Sequence, residues 1–137
     1  MYILDTNIIS ELRQGKPKPS PKVRAWAASV TASQLFLSAI SILELEQGVL
    51  ALERRTPPQG SALRVWLTGV RSAFAGRILP FTDHTATLCA AMHVPKARSE
   101  RDAMIAATAL EHGMTVVTRN VADFVGSSVQ LINPFAP

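Results

Sequence analysis

Cysteine is almost missing from this sequence. Cys89 stands alone among 137 residues, so no internal disulfide can form and a reducing compartment is expected. No apolar run reaches the roughly 20 residues of a membrane-spanning helix. The N-terminus lacks the basic segment and long apolar stretch of a secretory signal. A soluble, cytoplasmic protein with no membrane contact is therefore expected. Several catalytic signatures are missing too. Without Gly-x-Ser-x-Gly, a Walker A loop or Gly-x-Gly-x-x-Gly, a serine hydrolase, P-loop NTPase or dinucleotide enzyme is disfavoured. No pairing of Cys and His offers a zinc site. His84, His93 and His112 fall near helix ends, where histidines serve mostly as surface or dipole partners. Internal repeats and low-complexity segments are absent.

What remains is the composition of a packed globular chain. The hydrophobic fraction is 47% and the charged fraction 18%. A chain of this length suits one domain, residues 1–137, whose core buries about two-thirds of the unfolded surface. The formal net charge of +4 permits a polyanionic partner without demanding one.

Short apolar runs alternate with segments of helical spacing. Tyr2-Ile3-Leu4 reads as a buried parallel strand that stops at Asp5. Thr6 or Asn7 then caps a helix carrying Ile8, Ile9 and Leu12, which Gly15 ends. Pro21 opens a second helix, on which Trp26 reads as core. Leu35-Phe36-Leu37 is the next strand, and Ser41 with Glu44 matches a capping box for a helix running to about Arg55. Pro57, Pro58 and Gly60 read as a break before an amphipathic helix over Leu63, Trp66, Leu67, Val70 and Phe74, closed by Gly76. A strand over Ile78–Phe81 leads to a helix with Asp83 as its cap. An alanine-rich helix runs from Asp102 to a stop at Gly113. Thr115-Val116-Val117-Thr118 is the clearest β-branched run, and Val129–Ile132 gives a last strand. The pattern predicts an α/β fold, a three-layer α/β/α sandwich around a mostly parallel sheet.

In such sheets ligands bind beyond the carboxyl ends of the strands. Asp5, Glu44 and Asp123 are expected at that edge, and Asp102 at a helix N-terminus able to face it. Each acid alone could simply cap a helix. As a group they would repel, by about 4 kcal/mol for a pair about 4 Å apart at an effective dielectric of about 20. A cluster of this kind holds protons or a cation, and oxygen-only ligands suit Mg2+ or Mn2+. Asp5 and Asp102 are the first choices as direct ligands. Asp123 would complete the cage, and Glu44 would bind metal or orient a water. Thr6, Asn7, Thr118 and Asn120 are candidate supporting donors. Arg13, Lys16, Lys18 and Arg119 are candidate phosphate contacts.

The anchors Leu4-Asp5-Thr6-Asn7 with Ile9-Ser10-Glu11, Ser41-Ile42-Leu43-Glu44-Leu45, Asp102–Ala109, Thr118-Arg119-Asn120 with Asp123-Phe124, and Asn133-Pro134 occur in that order. In this the chain resembles PIN-domain ribonucleases, the toxins of VapBC-type pairs, and most of all their FitB-like branch. The resemblance covers nearly the whole length, and the family's acidic positions fall on Asp5, Glu44, Asp102 and Asp123. It implies a Mg2+- or Mn2+-dependent endoribonuclease acting on RNA, a small DNA-binding antitoxin as partner, and a homodimer. One departure is the basic trio Lys96, Arg98 and Arg101 just before Asp102. Two other readings compete. A non-catalytic PIN fold would bind RNA or protein without turnover. A receiver or phosphatase domain would want a second acid beside Asp5, where Thr6 and Asn7 stand.

Overall fold

The structure, a computed structural model, describes residues 1–136. Strand β1 (Tyr2–Leu4) leads into helix α1 (Thr6–Glu11), followed by α2 (Pro21–Ala28). Strand β2 (Leu35–Ser38) continues directly into α3 (Ala39–Arg55), then α4 (Pro57–Ala73). After β3 (Ile78–Leu79) come α5 (Asp83–Met92) and α6 (Glu100–His112). Strands β4 (Thr115–Val117) and β5 (Leu131–Ile132) close the chain, separated by a short 3-10 helix over Val121–Phe124. Among the described residues no helix is long and apolar enough to cross a membrane.

The five strands form one sheet in the order β3-β2-β1-β4-β5, and every pairing is parallel. Side chains of successive strand residues point to opposite faces. On one face Leu4, Leu35, Leu37 and Val117 pack with Ile8, Val23, Leu45, Val49 and Leu67. On the other, Ile3 and Val116 pack with Ile105, Ala106, Ala109 and Phe124. Helices therefore cover both faces, and the expected three layers are present. The alanines of α6 are buried, which lets that helix lie close to the sheet. Gly113 ends it at φ +65, a left-handed conformation that costs glycine little. Trp26 belongs to the core, as expected, and meets Tyr2 edge-on at 5.3 Å.

Several boundaries differ from the sequence reading, each for a local reason. Asp5 itself caps α1 by accepting the Thr6 N–H, so Thr6 and Asn7 lie inside the helix. That helix stops at Leu12, short of Gly15. Ser38 caps α3 through the Ile40 N–H at 2.9 Å, and Ser41 is buried within the helix. Glu44 consequently sits in the second turn rather than the first. Pro57 and Pro58 open α4 rather than interrupting the chain, because the first turn has no use for their missing N–H groups. Thr82, in a capping box with Thr85, caps α5, leaving Asp83 in its first turn.

Gly60 is where α4 meets α3. A Cβ there would lie 2.3 Å from the Glu53 Cα and 2.5 Å from its N. Arg64 reinforces the contact by pairing with Glu46 and Glu53 across the two helices. Gly60→Ala should therefore destabilise the protein by about 1–3 kcal/mol, the usual cost of overpacking. Gly69→Ala in the same helix meets nothing within 4 Å and should stabilise by up to about 1 kcal/mol. Urea unfolding of the two variants checks this, and equal midpoints would show that α3 and α4 are not pinned at Gly60.

Candidate active site

The chain begins in the middle of its sheet, moves outward through β2 and β3, then crosses to β4 and β5 on the other side. The strand order thus reverses between β1 and β4, the crevice where α/β sheets bind ligands. Asp5 lies there. Its backbone N–H donates to the Val117 carbonyl at 2.9 Å. Its side chain is 4% exposed, and neutral groups hold it. Oδ1 accepts from the Thr6 N–H at 2.8 Å, and Oδ2 accepts from the Thr118 hydroxyl at 2.7 Å and the Asn7 amide at 3.2 Å. Burial raises the pKa of this carboxyl, and the Glu44 charge adds to the rise, against the lowering effect of those three donors.

Glu44 reaches the same place from α3. Its Oε1 accepts from the Thr6 hydroxyl at 2.7 Å, while Ser41 Oγ lies 3.1 Å from that hydroxyl. Thr6 thus touches both acids, through its N–H and its hydroxyl. On the outer side, Arg101 Nη1 stands 3.9 Å from Glu44 Oε2 and donates to Gln47 Oε1 at 2.7 Å. Asp102 enters from the first turn of α6. Burial first, then the charges of Asp5, Asp123 and Glu44, push its carboxyl up to about 6, with the Ser99 hydroxyl pulling the other way. Asp123 sits on the exposed 3-10 turn after β4.

The four expected acids therefore share one electrostatic neighbourhood. They do not form a closed cage: among the described residues no group of three or more acidic, His or Cys side chains is drawn in tightly enough to hold an ion. Mutual repulsion favours that spread. Among the described residues no basic side chain pairs with Asp5, Asp102 or Asp123 within 4.0 Å. A set of oxygen donors with uncompensated negative charge fits a hard divalent cation.

The supporting residues divide. Thr6, Asn7 and Thr118 hold carboxylates by side-chain bonds, and Asn7 Oδ1 also accepts the Arg119 N–H. Asn120 acts through its backbone, donating its N–H to the Thr118 hydroxyl at 3.0 Å. Ser99, Gln47 and the buried role of Ser41 were not read from the sequence. Ser41 had a visible signal, a polar residue in an apolar stretch, which a capping motif explained away. Of the basic candidates, Lys16 is tied to Glu11 at 2.7 Å. Its hydrogen bond, ahead of burial working the other way, holds the Glu11 carboxyl below its ordinary value. Arg119 lies over the Phe135 ring at 4.6 Å. Lys18 is exposed, and Arg13 lines two clefts. Within the basic trio, Arg98 is structural, donating to the Met92 and Val125 carbonyls.

Known proteins share this arrangement of chain and sheet. The VapC ribonuclease Y4jK of Sinorhizobium fredii is 38% identical, over 100% of this chain and 99% of its own. The toxin FitB of Neisseria gonorrhoeae is 36% identical, over 98% of this chain and 99% of its own. The crystal structure of FitAcB from the same organism superposes with a TM-score of 0.91 at 36% identity, covering 100% of both chains. The PIN domain model matches residues 2–124, a span that holds strands β1 to β4 and all four acids: the chain belongs to the PIN domain family.

Proposed function

We propose that this protein is a metal-dependent endoribonuclease, the toxin of a toxin–antitoxin pair, with residues 1–137 acting as one nuclease domain. The observation that carries the reading is the uncompensated acidic crevice at the reversal point of the sheet. The VapC ribonuclease and FitB toxin relatives support the class of reaction and of biology. RNA is the substrate, a small DNA-binding antitoxin is the protein partner, and a homodimer is the assembly.

Asp5, Asp102 and Asp123 would hold Mg2+ or Mn2+, and Glu44 would bind it or orient the attacking water. A divalent cation in such a site polarises a non-bridging phosphate oxygen and lowers the pKa of a water. The chain supplies the geometry. Thr118, Asn7 and the Thr6 N–H fix the Asp5 carboxylate, and the Thr6 hydroxyl fixes Glu44. Asp102 gives up its proton to become a donor.

Cleavage should require Mg2+ or Mn2+, stop with EDTA, and leave 5′-phosphate ends. Equal cleavage in EDTA would point to contamination or a metal-free mechanism, and cyclic phosphate ends to attack by the RNA's own 2′-hydroxyl. Asp5→Asn and Asp102→Asn should keep the fold and lose roughly 100-fold or more in rate. Wild-type cleavage by both would refute the site assignment.

The pKa of Asp102 makes two further expectations. The rate should climb as pH passes through about 6, and the midpoint should fall as metal concentration rises, because the cation competes with the proton. A midpoint that ignores metal concentration would detach Asp102 from the cation. Without metal, the folded state binds this proton more tightly than the unfolded state does. Asp102 therefore stabilises the fold below about pH 4 and loses that contribution as pH rises through about 6. Asp102→Asn should be more stable than wild type at pH 7.5 in EDTA, by about 1–2 kcal/mol after allowing for solvent screening. The gap should close towards pH 4, as thermal melts across the range would report.

Inducing the chain alone should arrest growth, and co-inducing its partner should restore it. Normal growth with abundant soluble protein would remove the toxin reading and leave the nuclease one standing.

A further inference from the structure

A cleft of about 300 Å³ is lined by both partners of the Glu44–Thr6 hydrogen bond. Thr6 and Glu44 form its inner wall, and Leu45, Leu63 and Trp66 line it with apolar surface. Ser10, Arg13 and Lys16 add further polar groups, and Gly48 also lines it. A second cleft of about 500 Å³ continues outward and shares Arg13, Leu63 and Trp66 with the first. Trp66 thus stands at the junction of two connected spaces.

Three features define what fits. The Ser10 hydroxyl and the Trp66 indole N–H make no hydrogen bond among the described residues, so both are available to a ligand. Arg13 pairs with no acid among the described residues, whereas Lys16 is already partnered by Glu11. An aromatic face, unengaged polar groups and a free guanidinium suit a flat heterocycle joined to a phosphate. Single-stranded RNA is bound in just this way, with bases stacked on aromatic side chains and cations along the backbone. The inner volume is at the lower end of the range for small-ligand sites, about 300–1,000 Å³.

We infer that this cleft is a nucleoside subsite, which takes the base next to the cut phosphate against Trp66 while Arg13 meets the following phosphate. The inference builds on the ribonuclease reading and names where base preference arises. It assigns to Trp66, Ser10 and Arg13 contacts to substrate, and to Gly48 the room that admits it.

Gly48 provides the test. A Cβ at this helical position meets nothing within 4 Å, so Gly48→Leu adds its side chain at an unobstructed point of the cleft's lining, and an unchanged urea midpoint confirms the fold. With mixed-sequence RNA as substrate, Gly48→Leu should raise KM roughly tenfold, leave kcat within about twofold, and weaken the base preference beside the mapped cuts. Trp66→Phe keeps a ring in the core and should shift the same two readouts by less. In a Trp26→Phe background, nucleoside 5′-monophosphates should quench Trp66 emission, and Gly48→Leu should abolish the quenching. A Gly48→Leu protein with wild-type KM and cut profile overturns the inference. So does one that cleaves normally but escapes neutralisation by its partner, since the cleft would then seat protein. If the wild type cleaves no RNA, the ribonuclease reading fails, and the quenching alone decides the cleft: no quenching overturns it, and quenching lost in Gly48→Leu upholds it.

Discussion

A buried carboxylate is the constraint around which this molecule is arranged. Asp5 sits at 4% exposure between two central strands, where a charge without partners would be costly. No basic side chain neutralises it. Three neutral donors, from Thr6, Asn7 and Thr118, satisfy its oxygens instead. Those donors come from α1 and from the end of β4, so the carboxylate is oriented only when both elements are in place. The same residue caps α1 and joins β1 to β4 through its own N–H. Fold and site are thereby one construction at this point.

The choice of neutral donors has an electrostatic consequence. An arginine or lysine beside Asp5 would have stabilised its charge and cancelled its field. Hydroxyl and amide groups orient it while leaving the field in place. Burial first, and then that field, holds the Asp102 proton more tightly, and Asp123 and Glu44 add to the effect. Glu44 alone has a cation nearby, and Arg101 at 3.9 Å is only loosely engaged there. The crevice consequently keeps a surplus of negative charge, which suits a cation.

Much of this was legible in the sequence. Tyr2-Ile3-Leu4 and Thr115-Val116-Val117 announce strands because parallel strands buried on both faces tolerate no polar break. The position of an acid just after such a run locates it at the ligand edge whatever caps the next helix. Cap identities were harder to read. Ser38, Ser41 and Glu44 lie within one helical turn or two of each other, and only tertiary packing decides that Ser38 faces the strand end while Ser41 is buried against Thr6. Pro57 and Pro58 read equally well as a break or a beginning. The openness of the acidic cluster was also out of reach, because spacing along a chain says nothing about the last few ångströms between side chains on four different elements.

The contact at Gly60 bears on how such a protein can diverge. With the Glu53 backbone against it and Arg64 spanning both helices, the end of α3 and the start of α4 are fastened to each other. Glu44 reaches Thr6 from α3, and Gly48 and Trp66 line the cleft beside it without a side-chain hydrogen bond to any of the acids. Residues between the two helices can therefore be exchanged while the acidic end keeps its register. Substrate choice and chemistry become separately heritable traits, and a duplicated gene could acquire a new target without first losing its activity.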